Sequence, residues 1–203
     1  MKIYTIDVNQ KDFQKLEFLE HFDPTPDLPV SHEGRLGKWE PPACRIIDTD
    51  KPTADFMLLT PNQIVFNPRQ LDMDFVPDDG GQDSLYTLAE MASYGEVAPV
   101  TADNNQRYHI LIVTECCNAL DRNNSKWQTD EQGQPTFIEK FMFHGGRVGT
   151  VSGLFRLADA DFDKKYIFAH TAREGEELKF IDRYFQQGKT GLDVKEVWSD
   201  EAD

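Results

Sequence analysis

Between Gln70 and Gln106 the chain has no lysine and no arginine, yet eight acids fall there: Asp72, Asp74, Asp78, Asp79, Asp83, Glu90, Glu96 and Asp103. A run of one sign repels itself and weakens the compact state. It argues against nucleic acid and anionic membrane as partners and favours cationic ones. Over the whole chain 36 acids face 21 bases, a formal net charge of -15, so this run holds about half of the excess. An ordinary solvated face reads the same way, and that bland reading stands beside the functional one.

Other absences narrow the class. No stretch approaches the roughly 18 apolar residues that a membrane-crossing helix needs. The opening segment, MKIYTIDVNQKDF, lacks the apolar core and small-residue cleavage site of a secretory leader. Cysteine is scarce and odd in number: Cys44, Cys116 and Cys117, with no C-x-x-C pair. Adjacent cysteines in an extended strand point to opposite faces. Reduced thiols in a cytoplasmic protein therefore fit better than a disulfide framework. No internal repeat is visible. What is present suffices for a core: 14 Phe, 6 Tyr and 3 Trp among 203 residues. A single domain over 1–203 is the expectation, with a strand and extended arm in 1–43 and an α+β core in 44–203.

Periodicity predicts a short strand over Lys2 to Val8. Pro24, Pro26, Pro29, Pro41 and Pro42 then break any regular element, leaving a proline-rich arm with Trp39 as its anchor. Short strands follow at 44–48, 56–59 and 63–66. A helix is expected to start at Asp83 or Ser84, to repeat Leu85, Leu88, Ala89 and Ala92 on one face, and to end with Gly95 in the left-handed position. The runs 96–101 and 107–115 read as a hairpin, the second being the most apolar and hence a central strand. Residues 121–135 read as a polar loop carrying Trp127. Strands are expected at 136–143, 153–157, 165–170 and 192–198. A second helix is expected over 173–187, with Leu178, Ile181, Tyr184 and Phe185 on one face and Gly188 as its stop. Strands mixed with two main helices, without regular alternation, point to α+β with a largely antiparallel sheet.

Chemistry is hard to find. His144-Gly145-Gly146 has the look of an oxyanion-hole segment, but the G-x-S-x-G elbow of such esterases is missing. The glycine-rich stretch 145–153 matches neither the phosphate-loop nor the dinucleotide fingerprint, so it reads as a connection between strands. His21, His32, His109, His144 and His170 contain no pair at the i, i+4 spacing of a helical zinc site. Asp159, Asp161 and Asp163 have the oxygen spacing of a calcium loop. They lack its glycine at position six, where Lys164 stands, and its glutamate at position twelve. Cys116 and Cys117 read as structural thiols. No metal, cofactor or catalytic set is expected, and a non-enzyme is the reading.

From roughly Leu85 to Trp198 the segments occur in a familiar order. They are Tyr108 to Val113, Cys117, the segment from Asp121 to Ser125, Leu154-Phe155-Arg156-Leu157, Tyr166-Ile167-Phe168, the late helix, and the ending from Thr190-Gly191-Leu192 to Val197. This order resembles family eleven of the immunity proteins of bacterial polymorphic toxin systems, over a little more than half the chain. The proline- and aspartate-rich stretch 71–82 departs from the family pattern. The resemblance implies a cytoplasmic antidote that binds and blocks a toxin domain made by the same cell, without catalytic residues of its own. A basic toxin cleft would attract such an acidic protein. The binding candidates are Asp72, Asp74, Asp78, Asp79, Asp83, Asp121 and Trp127. Trp127 reads equally as an anchor or as a core tryptophan that tucks its loop down. A scaffold module and a hydrolase built around His144 or His170 remain as alternatives, and monomer and homodimer both stay open.

Overall fold

In the computed structural model the described residues are 1–9, 11–19, 43–60, 63–66, 88–158 and 166–201. Their first half runs β1 (Lys2–Val8), β2 (Lys15–Phe18), β3 (Ala43–Ile47), β4 (Phe56–Thr60), β5 (Gln63–Phe66), α1 (Leu88–Ser93), β6 (Gly95–Ala102) and β7 (Arg107–Val113). The second half runs β8 (Cys116–Cys117), β9 (Lys126–Thr129), β10 (Pro135–Lys140), α2 (Gly145–Val148), β11 (Leu154–Leu157), β12 (Ile167–His170), α3 (Phe180–Gln186) and β13 (Leu192–Ser199). The chain divides into two compact units. One joins Met1–Asp7, Glu115–Lys189 and Asp193–Asp203; the other joins Val8–Thr114 with Thr190–Leu192. The expected proline-rich arm and Trp39 lie outside the described residues.

In the second unit the apolar run Tyr108 to Val113 does become a central strand. The sheet order is β2-β3-β6-β7-β5-β4, so β7 is covered on both edges. β6 and β7 form the expected antiparallel hairpin, in register from Gly95↔Val113 to Thr101↔Arg107. Its turn places Asn105 at φ 62, a region that asparagine tolerates better than most residues. One face of the sheet packs Leu16, Cys44, Met57, Val65, Val100, Tyr108 and Ile110 into a core. Gly95, expected to end the preceding helix, is instead the first residue of β6. A Cβ there would lie 2.1 Å from the Ile112 carbonyl oxygen, so close strand approach is what requires glycine. Gly191 has a similar role at φ 102, against the Phe56 carbonyl. Beside it, the Asp55 carboxylate accepts bonds from the amide (2.9 Å) and hydroxyl (2.8 Å) of Thr190.

In the first unit the order is β13-β1-β12-β11-β8. Its core is aromatic: Phe141, Phe143, Phe155 and Phe168 pack with Ile3, Ile138, Val148 and Leu157. α3 is shorter than the expected 173–187 helix. Gly175, at φ 83, closes a turn in which Glu176 donates to the Arg173 carbonyl, and this keeps the preceding segment out of the helix. Asp182 then marks the true start, its carboxylate accepting the Lys179 amide at 2.9 Å. The buried face is Phe180, Ile181 and Tyr184, while Leu178 and Phe185 are about half exposed. Gly188 does stop the helix: its amide bonds Phe185 and the Lys189 amide bonds Tyr184, a Schellman closure.

The fold is thus strand-rich α+β, with a correction to its finer form. Three short helices are described rather than two main ones. Both large sheets are mixed, because β3 pairs parallel with β6 and β11 parallel with β8.

Candidate functional site

The two candidate residues that lie in described structure, Asp121 and Trp127, belong to one loop-and-hairpin of the first unit. Asp121 shapes the loop. Its carboxylate accepts the Asn124 amide at 3.2 Å and the Asn124 side-chain amide at 2.7 Å, and these bonds hold its carboxyl below the usual range. The buried Ser125 hydroxyl donates to the Asp121 carbonyl at 2.7 Å. Asp121 is therefore occupied in holding a turn, and it is partly buried there.

Trp127 is on strand β9, not in a loop, because the polar stretch 121–135 folds into half of a hairpin. Asp130 makes the reversal possible: its carboxylate accepts the Gln132 amide (3.0 Å) and the Gln134 amide (2.7 Å), and Gly133 takes φ 79. β9 then pairs antiparallel with β10, setting Trp127 opposite Ile138 and Gln128 opposite Phe137. Ile138 is buried and Trp127 is half-buried against the aromatic core. The indole N–H donates to the Arg122 carbonyl at 2.9 Å, and the Arg122 guanidinium lies 5.0 Å over the ring. Trp127 thus tucks the ribbon down while keeping an open side beside Arg122. On the other face Phe137 is 46% exposed. Lys126 pairs with Glu139 at 2.7 Å, which raises the lysine pKa and lowers the carboxyl pKa. Phe137 and Arg122 were not among the sequence candidates. The available signal was period two, since a strand holding Phe137-Ile138 must turn one of the two outward.

The other candidates, Asp72, Asp74, Asp78, Asp79 and Asp83, lie outside the described residues, as do Asp159, Asp161 and Asp163. From the end of the acidic run, Asp103 lines an open polar depression of about 480 Å³ with Gln14, Thr49, Thr53 and Gln106.

The residues weighed for chemistry take other places. His170 is buried, with Nε2 3.2 Å from the Val151 carbonyl and Nδ1 3.0 Å from the Thr171 carbonyl. His144 is exposed and precedes the single turn α2, so the glycine-rich stretch is a helical turn rather than a phosphate cradle. Gly149 admits the Arg173 guanidinium, which would meet a Cβ at 2.8 Å. All three cysteines are free. Cys117 is buried and Cys116 exposed, on opposite faces as the strand geometry requires. Burial pushes the thiols of Cys44 and Cys117 up to about 11, so neither is a ready nucleophile. Among the described residues no three His, Cys, Asp or Glu side chains converge as a metal site. No helix among them is long and apolar enough to cross a membrane. Neither the models of known protein families nor the curated proteins match this chain.

Proposed function

We propose that this chain is an immunity protein, a cytoplasmic antidote that binds a basic toxin domain and blocks it by steric and electrostatic contact. The observation that carries the reading is the charge of the sequence: 36 acids against 21 bases, a net of -15, with eight acids and no lysine or arginine between Gln70 and Gln106. A protein of that sign meets a basic cleft faster, by about 10- to 1,000-fold at low salt. Screening over roughly 8 Å at physiological salt leaves the short-range contacts in place. The order of segments from Leu85 to Trp198, which resembles that of the immunity family, is the second support.

The test is titration calorimetry against the C-terminal domain encoded by the neighbouring upstream gene. One-to-one nanomolar binding that abolishes the domain's toxicity is the expected result. A folded domain that shows no binding in low salt overturns the reading.

A further inference from the structure

We infer that His170 is a proton-operated clamp: as an imidazolium it ties the residues after α2 to the segment after β12, and as a neutral ring it releases one of the two. The ring is 1% exposed. Its Nε2 lies 3.2 Å from the Val151 carbonyl oxygen and its Nδ1 3.0 Å from that of Thr171. Both partners are pure acceptors. A neutral imidazole has one N–H and one lone pair, so it bonds one carbonyl and turns the lone pair on the other. The imidazolium has two N–H groups and bonds both. With the ring buried, water does not replace the missing bond. The number of carbonyls held therefore follows the charge of the ring.

The two ends of the clamp are themselves tied into the first unit. Val151 closes the turn of α2, its amide donating to the Val148 carbonyl. Thr171 fastens the end of β12 to β1: its amide donates to the Lys2 carbonyl at 3.0 Å, and its hydroxyl accepts the Lys2 amide at 2.8 Å. β1 sets Ile3 opposite His170, and β11 sets the Phe155 ring 6.4 Å from the imidazole, neither carrying charge. Charges enter from the flanking segments. Glu115 accepts the Ser152 amide and hydroxyl, Asp182 of α3 accepts the Ala172 amide, and Lys2 pairs with Glu196. The Arg173 guanidinium reaches the Gly145 carbonyl at 2.9 Å. Glu176 is the acid whose charge is coupled to the ring. The Arg173 amide chiefly holds its carboxyl below the usual range, and the His170 charge adds to this after those of Lys179 and Arg173.

NMR of the ¹⁵N-labelled full chain between about pH 5.5 and 8.5 tests the clamp. The His170 ring is expected to carry two N–H groups at the acid end and one at the other. The amide that follows the released carbonyl, Ser152 or Ala172, is expected to shift along the same titration curve. Exchange protection of the His170 and Thr171 amides, corrected for the intrinsic rate, is expected to fall about 3- to 10-fold over that range, the weight of one hydrogen bond. His170→Phe keeps a buried ring without a donor and is expected to lose the titration at Ser152 and Ala172. The exposed His144 precedes α2, so His144→Gln is the control and is expected to keep it. A ring that holds one protonation state across the range in the folded chain overturns the inference. So does a titration of Ser152 and Ala172 that persists in His170→Phe or vanishes in His144→Gln. The ring readout uses the unmodified chain, so it decides the matter even where His170→Phe does not fold.

Discussion

Phe168→Ala should be among the most damaging single changes in the first unit. Phe168 is fully buried on β12 and touches four other rings. Phe141, Phe143 and Phe155 have centroids at 5.3, 5.5 and 5.4 Å, and Tyr166 is at 5.8 Å. Truncation removes about 1.5–3 kcal/mol of burial. It also leaves a cavity that neighbouring strands cannot close, which brings the expected loss to about 3–5 kcal/mol. Phe168→Leu keeps most of the apolar volume but loses the edge-on and stacked contacts. Its expected loss is smaller, about 1–2 kcal/mol. At roughly 2–4 °C per kcal/mol for a chain of this size, the alanine variant should melt about 6–20 °C lower. Urea unfolding followed by tryptophan fluorescence measures both, since Trp198 packs on this cluster. An alanine loss below about 1 kcal/mol, or a leucine loss equal to it, would refute the claim that ring packing at Phe168 organises this unit.

Two further outcomes test the second unit. Burial, aided by the charge of Arg107, lowers the His109 pKa, and the ring stacks on Phe66 at 5.8 Å. The folded state therefore binds fewer protons than the unfolded one. Stability from this group is complete above the unfolded value of about 6.5 and is lost as pH falls through that value toward the folded one. Urea melts between pH 8 and 5 should show this loss, and His109→Gln should remove its share; an identical pH slope in the variant contradicts the assignment. Gly191→Ala puts a Cβ 1.9 Å from the Phe56 carbonyl oxygen at a φ of 102. It should cost at least about 3 kcal/mol, and a variant that melts within about 2 °C of the parent would show that the approach relaxes freely.

How much of this was legible in sequence depends on whether the deciding contact was local. The β6–β7 hairpin was readable because apolar alternation on both sides of Ala-Asp-Asn-Asn-Gln leaves little choice of register. The end of α3 was readable for the same reason, since Gly188 acts within its own turn. Gly95 shows the limit. A glycine after a helical pattern has two meanings, a left-handed cap or a site of close approach, and only the Ile112 carbonyl decides between them. The start of α3 was misplaced because Glu-Gly-Glu-Glu-Leu fits helical spacing well enough to hide the Gly175 turn. The parallel pairs β3–β6 and β8–β11 were not legible at all, being set by strands far apart in the chain.

The candidate site follows the same division. The acids and tryptophans could be counted, and counting set the sign of the expected partner. Which aromatic faces outward could not be counted, because Trp127 read equally as an anchor or as a core residue of a polar loop, and Phe137 was one residue of an expected strand. The turn at Asp130 decides it by pairing the two strands, and pairing obliges Trp127 and Ile138 to share the inward face. Phe137 must then point outward with Gln128. Its exposure is thus a consequence of register, the one quantity that a polar loop reading had no means to supply.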